Sequence, residues 1–330
     1  MVKRILHLLG ILLAIGIFAA ALWILSRELR HLRWDVVLAQ LGSVPASHVL
    51  LALLSTAGAY LVLTVYDTTA FSYIGRPIRF PRVAFVSFLA YAFSHTMGFG
   101  GATGGALRYR FYTSWGVKPI DIGKVILFGG LAYLLGAFGV AGALILLSGY
   151  DFAAIARLPD WLVHLVGAVF VMVGCLYVLW SAMGRPSIRL GPTFLPPPRL
   201  SISLAQLTTA CVEWSLAAAA LYWLLPSSVG IDYWHFVGIY VLAYVAGMIS
   251  HVPQGLGVIE AVVLQLMPED VFREGMAAAF ITWRAIYFLL PFVIAAALYG
   301  LYELRHGHLR MPAALRRRAG TARRENSPGP

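Results

Sequence analysis

Charged side chains inside apolar stretches are the residues of this chain that could do chemistry. Eight long apolar stretches contain only two formally charged residues, Glu213 and Arg284. A carboxylate in such a setting must face a partner or a water-filled cavity, and an arginine cannot give up its charge. Arg284 therefore predicts a buried acidic partner, for which Glu213 and Glu260 are the candidates. For Glu213 itself, a structural hydrogen bond between helices is the alternative to a functional site.

Two further acids stand at the ends of apolar stretches. Asp67 follows Tyr66, and the segment through Ile74 contains no helix breaker, so we expect the helix to continue and place Asp67 inside the protein. An aspartate at the membrane interface is the alternative. Glu260 comes three residues after Gly257, at the expected start of a helix, where a carboxylate could cap backbone amides or face a cation.

Two arginines follow a glycine cluster in the first half of the chain. Arg108 and Arg110 suit phosphate, because the guanidinium fork matches phosphate oxygens and glycine allows a close backbone approach. Their alternative role is to reach the lipid headgroups and set the topology. The candidate binding residues are Asp67, Arg108, Arg110, Glu213, Glu260 and Arg284.

The elements that must position these residues are membrane helices. The apolar stretches are 5–25, 47–66, 83–97, 125–148, 161–182, 203–225, 236–252 and 277–302. The chain is 60% hydrophobic and only 12% charged, which excludes a soluble protein. Since a helix needs about 20 apolar residues to cross a bilayer, six stretches qualify and two are short. We expect an all-α polytopic membrane protein with about eight transmembrane helices, and an interfacial helix within 26–46.

The two short stretches, 83–97 and 236–252, share a pattern. Each ends in a Ser-His pair and runs into a segment rich in glycine or proline. The residues of these two breaks are Gly98, Gly100, Gly101, Gly104 and Gly105 in the first, and Pro253, Gly255 and Gly257 in the second. Paired, interrupted hydrophobic segments are typical of transporter binding sites, so we expect two broken or re-entrant segments that line one cavity. Ordinary loops between helices are the alternative.

The positive charge of the chain predicts its orientation. The net charge is +11, and seven arginines lie beyond Leu304. The positive-inside rule explains this basic tail, residues 304–330, better than a nucleic acid partner does, and it predicts cytoplasmic termini. With eight spans, however, Arg185, Arg189 and Arg199 would face outward. A segment that enters the membrane and returns on the same side would explain this weak asymmetry.

Motifs for other chemistries are missing from the sequence. It contains no Gly-x-x-x-x-Gly-Lys-[Ser/Thr] loop, no His-Glu-x-x-His and no Gly-x-Ser-x-Gly elbow. The histidines are scattered, apart from His306 and His308 in the tail. We therefore expect no cofactor, no metal site and no enzymatic activity, although a small intramembrane lipid-modifying enzyme stays open as an alternative.

Residues 94–112, SHTMGFGGATGGALRYRFY, resemble the glycine-rich signature of the lysylphosphatidylglycerol synthase transmembrane family, the flippase-like domain of bacterial multiple peptide resistance factors. Residues 253–260, PQGLGVIE, resemble its second signature. The resemblance covers roughly residues 5–303. It implies an inner-membrane domain that moves aminoacylated or related phospholipids between leaflets, with functional residues at Asp67, Arg108, Glu213 and Glu260.

The chain differs from the bifunctional members of that family after its last span. Residues 304–330 are too few for a soluble aminoacyl-transferase domain, so lipid synthesis is not expected. The expected partner is membrane phospholipid, together with a separate lipid-modifying enzyme if the protein works beside one. A non-transporting membrane scaffold for such an enzyme is the main alternative.

Overall fold

The computed structural model describes residues 44–97, 100–147, 159–184, 187–190, 193–226, 229–250, 253–267 and 273–307, with single positions at 35, 39 and 42. The apolar stretch 5–25, most of the expected interfacial helix and the basic tail beyond 307 lie outside these ranges. Within them, five helices are long and apolar enough to cross a membrane. The expected count of about eight stays a prediction.

The described part of the chain is helical, with one short β-ribbon. In chain order the elements are α1 (Ala46–Tyr73), α2 (Phe80–Met97), α3 (Gly100–Ser114), α4 (Pro119–Leu147), α5 (Asp160–Ala182), β1 (Ile188–Leu190), β2 (Thr193–Leu195), α6 (Leu200–Tyr222), α7 (Tyr233–Ile249), a 3₁₀ turn (Pro253–Gly255), α8 (Val258–Leu266), α9 (Arg273–Arg284), a π-helical segment (Ala285–Leu289) and α10 (Leu290–Gly307). The ribbon is antiparallel and lies in the proline-rich connection between α5 and α6.

Helices α2 and α3 form an antiparallel pair, the first hairpin. The two helices approach each other closely near the tip of this hairpin. A Cβ atom added to Gly104 of α3 would lie only 2.9 Å from the Ala90 carbonyl oxygen of α2. At its open end, the Arg82 guanidinium lies 5.3 Å from the Trp115 ring centroid. The two helices therefore begin and end at the same level. With 18 and 15 residues, they rise only about 27 and 22 Å.

Helices α7 and α8 form the second hairpin. Helix α7 has 17 residues and α8 only nine, and the two helices pack against each other. Close to the turn, a Cβ on Gly247 would lie 3.0 Å from Ile259. The turn itself contains three residues with positive φ, Gln254, Gly255 and Gly257, of which two are glycines that adopt this conformation without strain.

The tips of the two hairpins meet at mid-height of the long helices. The Gln254 side-chain amide donates to the Thr96 carbonyl at the end of α2, over 2.7 Å. Beside them runs one long helix made of α9, the π-helical segment and α10. The π-helical segment contacts the first tip, because the Thr96 hydroxyl lies 3.4 Å from the Phe288 carbonyl. Single π-helical turns often mark functional sites.

One end of the molecule, here named the basic end, contains Arg76 in the α1–α2 loop, Arg82 in the first turn of α2, and Arg199 at the end of the α5–α6 connection. Arg76 contacts Asp121 at 3.1 Å, and the Tyr73 hydroxyl donates to the Pro196 carbonyl. The open end of the first hairpin lies there too. Arg199, at the end of the α5–α6 connection, therefore lies at the same end of the bundle as Arg76, and not at the opposite end, where eight full crossings would place it. That the first hairpin is re-entrant in a membrane stays a prediction.

Small residues set the distances between the long helices. A Cβ on Gly136 of α4 would lie 2.6 Å from the Cβ of Ala210 on α6. A Cβ on Gly142 of the same helix would lie 2.9 Å from the Gly167 carbonyl oxygen on α5. Such close backbone approach is the usual way in which membrane helices associate. It fixes α6, and with it Glu213, against its neighbours.

Candidate functional site

Asp67 and Arg108 form a buried ion pair between α1 and the first hairpin. Arg108 donates from Nε and Nη2 to the two carboxylate oxygens of Asp67, at 2.9 Å each, and the side chains are only 7% and 1% exposed. The Tyr112 hydroxyl also donates to Asp67, at 3.3 Å. The guanidinium lies 4.5 Å from the Tyr91 ring centroid. This is the bidentate geometry in which arginine binds carboxylates most strongly.

Helix α1 continues to Tyr73, as the sequence predicted, and this carries Asp67 into the interior. Asp67 lies six residues before the end of α1, and Arg108 lies six before the end of α3 at Ser114. Each therefore sits about 9 Å in from the basic end. Two helices that end at the same level place these two side chains opposite each other.

Glu260 and Arg284 form a second ion pair, at the second hairpin. Arg284 donates from Nε to Glu260 Oε1 at 2.6 Å. Its Nη2 lies 2.5 Å from the same oxygen but lacks the geometry of a hydrogen bond. Glu260 Oε2 accepts from the Gly257 backbone amide at 2.9 Å and so caps α8. The sequence offered Glu213 or Glu260 as the partner of Arg284, and the structure pairs it with Glu260.

Gln254 links this second pair to the tip of the first hairpin. Its side-chain oxygen accepts from Arg284 Nη1 at 3.3 Å, while its side-chain nitrogen donates to the Thr96 carbonyl. Gln254 holds a φ of 57°, which costs free energy in a residue other than glycine. Gln254 belongs to the second signature, residues 253–260, but the sequence pattern predicted no role for it. A polar side chain among turn residues was the available signal.

Glu213 lies near the middle of α6 and has no ion-pair partner in the part of the chain that the structure describes. It is 1% exposed, and its Oε2 has no hydrogen-bond partner among the described residues. The groups that interact electrostatically with it are tyrosines from five elements: Tyr60, Tyr66, Tyr91, Tyr133, Tyr240, Tyr244 and Tyr287. The sequence pointed to Glu213 through its apolar surroundings but did not identify these aromatic neighbours.

Arg110 is not part of this central group. It pairs with Glu303 of α10 at the basic end, where its guanidinium lies 5.1 Å from the Tyr299 ring centroid. Its side chain is 24% exposed. The six candidate residues therefore divide into two ion pairs, one unpaired acid and one arginine near the end of the bundle.

The first glycine break is shorter than the sequence suggested. Helix α3 begins at Gly100, so the prediction that Gly100, Gly101, Gly104 and Gly105 interrupt the helix is wrong for these four positions. Gly98 lies outside the described residues. Close packing against α2 explains at least Gly104, because any larger residue would collide with the Ala90 carbonyl. In the second break, Pro253 and Gly255 lie in the 3₁₀ turn, and Gly257 precedes α8.

Buried polar atoms without partners cluster around the hairpin tips. Within the described residues, the Tyr66 and Tyr240 hydroxyls, His95 Nδ1 and Trp283 Nε1 lack hydrogen bonds, as does Glu213 Oε2. Native proteins pair most of their buried polar groups, so several unpaired ones in one region mark it as a candidate site. Partly exposed side chains stand among them, and these are Tyr91, His95, Tyr133, Tyr244, Gln254, Glu260 and Arg284. Together they give this region polar groups and both signs of charge.

Comparison with known proteins gives three informative relatives. The chain is 34% identical over 293 residues to the uncharacterized protein slr0712 of Synechocystis, which covers 88% of this chain and 91% of the relative. It is 30% identical to the Escherichia coli inner membrane protein YbhN, covering 78% and 82% of the two chains. It is 24% identical to a Staphylococcus aureus phosphatidylglycerol lysyltransferase over 90% of this chain, but only 34% of that enzyme. No protein-family model matches the chain.

Proposed function

The chain belongs to the lysylphosphatidylglycerol synthase transmembrane family, with slr0712 and YbhN among its relatives, and we propose that it binds phospholipid headgroups at its hairpin tips and moves the lipid between leaflets. It is a multi-pass inner membrane protein. The observation that carries the proposal is the Glu260–Arg284 pair, a partly exposed and incompletely hydrogen-bonded ion pair at mid-height of the bundle.

Arg284 is the residue that we assign to the lipid phosphate. The sequence favoured Arg108 for this role, but the Asp67 carboxylate occupies two of its donors and its side chain is 7% exposed. Arg284 has an Nη2 without a well-formed hydrogen bond and a side chain 11% exposed. Because Nη2 is itself buried, a phosphate oxygen would reach it only after the surrounding side chains move, and Glu260 could then remain attached to Nε, so that no buried charge loses its partner.

Both hairpins are re-entrant in this proposal. Helix α2 rises about 27 Å and α8 about 13 Å, both less than the roughly 30 Å of hydrocarbon, and the two tips contact each other at mid-height. Irregular backbone at that depth is tolerated only where protein or water covers it. The tips would then separate two half-channels, one open to each leaflet.

We assign the basic end to the cytoplasm, because Arg76, Arg79, Arg82 and Arg199 lie there and the described part of the last helix ends there. Reporter fusions after Arg199 and after Leu304 should both report the cytoplasm. A periplasmic signal from either fusion would contradict the assignment, and opposite signals from the two would also contradict the return of the first hairpin.

The lipid probe follows from the relatives. The lysyltransferases are named for phosphatidylglycerol, so fluorescent phosphatidylglycerol is the first lipid to use. The purified protein in liposomes should equilibrate this lipid between leaflets faster than empty liposomes do. Arg284→Gln should abolish the gain, and Arg284→Lys should keep part of it. Arg199→Gln, an exposed arginine at the basic end, is the matched control and should behave as the wild type.

The same assay separates the two alternatives. A scaffold for a lipid-modifying enzyme would bind phosphatidylglycerol, detectable by native mass spectrometry, without any leaflet exchange. An intramembrane enzyme would release a chemically altered lipid, visible by chromatography. Our proposal is that the protein is not an enzyme, and either of these results would replace it.

A further inference from the structure

The charged residues inside the bundle do not balance. Away from the basic end, the described helices place three acids and two arginines in the interior. Arg108 is bound to Asp67, and Arg284 is bound to Glu260 and Gln254. Glu213 is left as the third acid without a positive partner. A carboxylate in that position would cost several kcal/mol, so the site must bind a positive charge or be neutral.

Among the described residues, no lysine, arginine or histidine interacts electrostatically with Glu213. Around it, α1 presents Tyr60 and Tyr66, α2 presents Tyr91, α4 presents Tyr133, α7 presents Tyr240 and Tyr244, and the π-helical segment presents Tyr287. Helix α5 presents Tyr177, which bonds Gln206 two turns away on α6. Arg284 interacts electrostatically with Tyr240 and Tyr244, but it already forms an ion pair with Glu260.

We propose that Glu213 binds one exchangeable proton and that lipid movement by this protein is coupled to the proton gradient. The inference rests on the proposed transport function. The proton comes from water, forms an O–H bond on the carboxyl group and leaves to water again, so no other reactant is needed. Tyr133 and Tyr244, which are partly exposed and interact electrostatically with Glu213, are the hydroxyls that we assign to proton exchange with the accessible surface.

The coupling has a simple electrostatic reason. A phosphatidylglycerol headgroup carries one negative charge, and moving it through the bundle alone would add an uncompensated charge to a low-dielectric interior. A proton on Glu213 removes the unpaired negative charge that would repel the lipid phosphate. The loaded protein then holds the Asp67–Arg108 pair, the Glu260–Arg284 pair, a neutral Glu213 and one lipid.

The test uses the purified protein in liposomes with fluorescent phosphatidylglycerol and an imposed pH gradient, with the membrane potential clamped at zero. One proton coupled to each lipid should shift the distribution of the lipid between leaflets by up to about tenfold per pH unit. In Glu213→Gln, whose side chain is a permanent neutral isostere, exchange should no longer respond to the gradient. Arg199→Gln should respond as the wild type does.

The possible failures are distinguishable. Absence of leaflet exchange in the wild type would refute the proposed transport function. Wild-type exchange that ignores the gradient and equals that of Glu213→Gln would refute the coupling and leave transport intact. Leaflet exchange that requires an amine in the lipid headgroup but no pH gradient would show that the lipid itself supplies the positive charge near Glu213. This result would also overturn the proposed proton coupling.

A second measurement does not depend on transport. Infrared difference spectra of the wild type across a pH titration should contain a protonated-carboxyl band that is missing in Glu213→Gln. The thermal stability of Glu213→Gln should stay close to that of the wild type, since the variant replaces a neutral group by a neutral group. A missing band at every pH, or a loss of stability typical of a broken ion pair, would contradict the inference.

Discussion

The two hairpins carry the same sequence signature, and they use it differently. In the first, Arg108 meets both oxygens of Asp67 in a nearly inaccessible setting, and Gly104 lies within a helix where it permits close packing. In the second, Arg284 meets one oxygen of Glu260 in a partly exposed setting, and Gly255 and Gly257 lie in a turn with positive φ. The pair at the first hairpin is therefore almost completely buried, and the pair at the second is partly accessible.

The largest effect should follow from breaking the first pair. Asp67→Asn leaves the Arg108 charge buried without a partner, and we expect it to cost about 3–5 kcal/mol. Accumulation in the membrane and thermal stability in detergent should both fall strongly. Adding Arg108→Gln to Asp67→Asn should recover part of the loss, because both charges are then gone. If the double variant is no better than the sum of the singles, the two residues do not interact.

A smaller effect should come from the packing within the first hairpin. A Cβ on Gly104 would lie 2.9 Å from the Ala90 carbonyl oxygen and 3.1 Å from Arg108 Nη1, so Gly104→Ala must separate the helices or move the arginine. We expect a loss of about 1–3 kcal/mol. Gly105→Ala is the matched control, because its Cβ would meet only Ile126 at 3.5 Å. Equal melting temperatures for the two variants would show that the hairpin is less tightly packed than described.

The glycines also show where sequence reasoning succeeded and failed. Helix continuation through Asp67, the burial of Glu213 and the capping role of Glu260 followed from local pattern and from the cost of burying charge. The helical state of Gly104 did not, because glycine is a poor helix former and only the close approach of α2 explains it. The Asp67–Arg108 pair was missed because it joins residues 41 positions apart.

The same contrast bears on the placement of the loops. If each apolar stretch is counted as a full crossing, successive loops alternate between the two sides of the membrane, and a single hairpin that returns to its starting side would reverse the side of every later loop. Eight full crossings would thus place Arg199 opposite Arg76, whereas the connection that it ends lies at the same end of the bundle. The weak charge asymmetry was the signal in the sequence for a returning segment, and re-entrance itself stays a prediction. The contact between the two tips required the three-dimensional structure.

A milder loss of stability should follow from breaking the second pair. Glu260→Gln is the same acid-to-amide change as Asp67→Asn, but Arg284 keeps Gln254 and some access to water. We expect a cost of about 1 kcal/mol, between the values for exposed and buried pairs, while lipid exchange falls strongly. Melting temperature and leaflet exchange, measured on both variants, test the contrast. A Glu260→Gln variant as unstable as Asp67→Asn would give both pairs the same structural role.

The smallest change should come from joining the two tips covalently. The Gln254 side chain reaches the Thr96 carbonyl, so cysteines at positions 96 and 254 should come within reach of a short thiol cross-linker. The background must lack Cys175 and Cys211, which are the two cysteines of the chain. Cross-linking should leave the fold intact, because it fixes a contact that already exists, yet it should stop lipid exchange if the tips separate during transport. Reduction of a cleavable linker should restore exchange.

Two further cysteine pairs test the geometry of the tips. Cysteines at 103 and 254 test whether the predicted shared cavity extends along α3. Cysteines at 82 and 254 lie at the open end of the first hairpin and at the tip of the second, and they should not react with each other at any linker length that fits the bundle. Efficient cross-linking of that last pair would show that the hairpins do not meet at their tips.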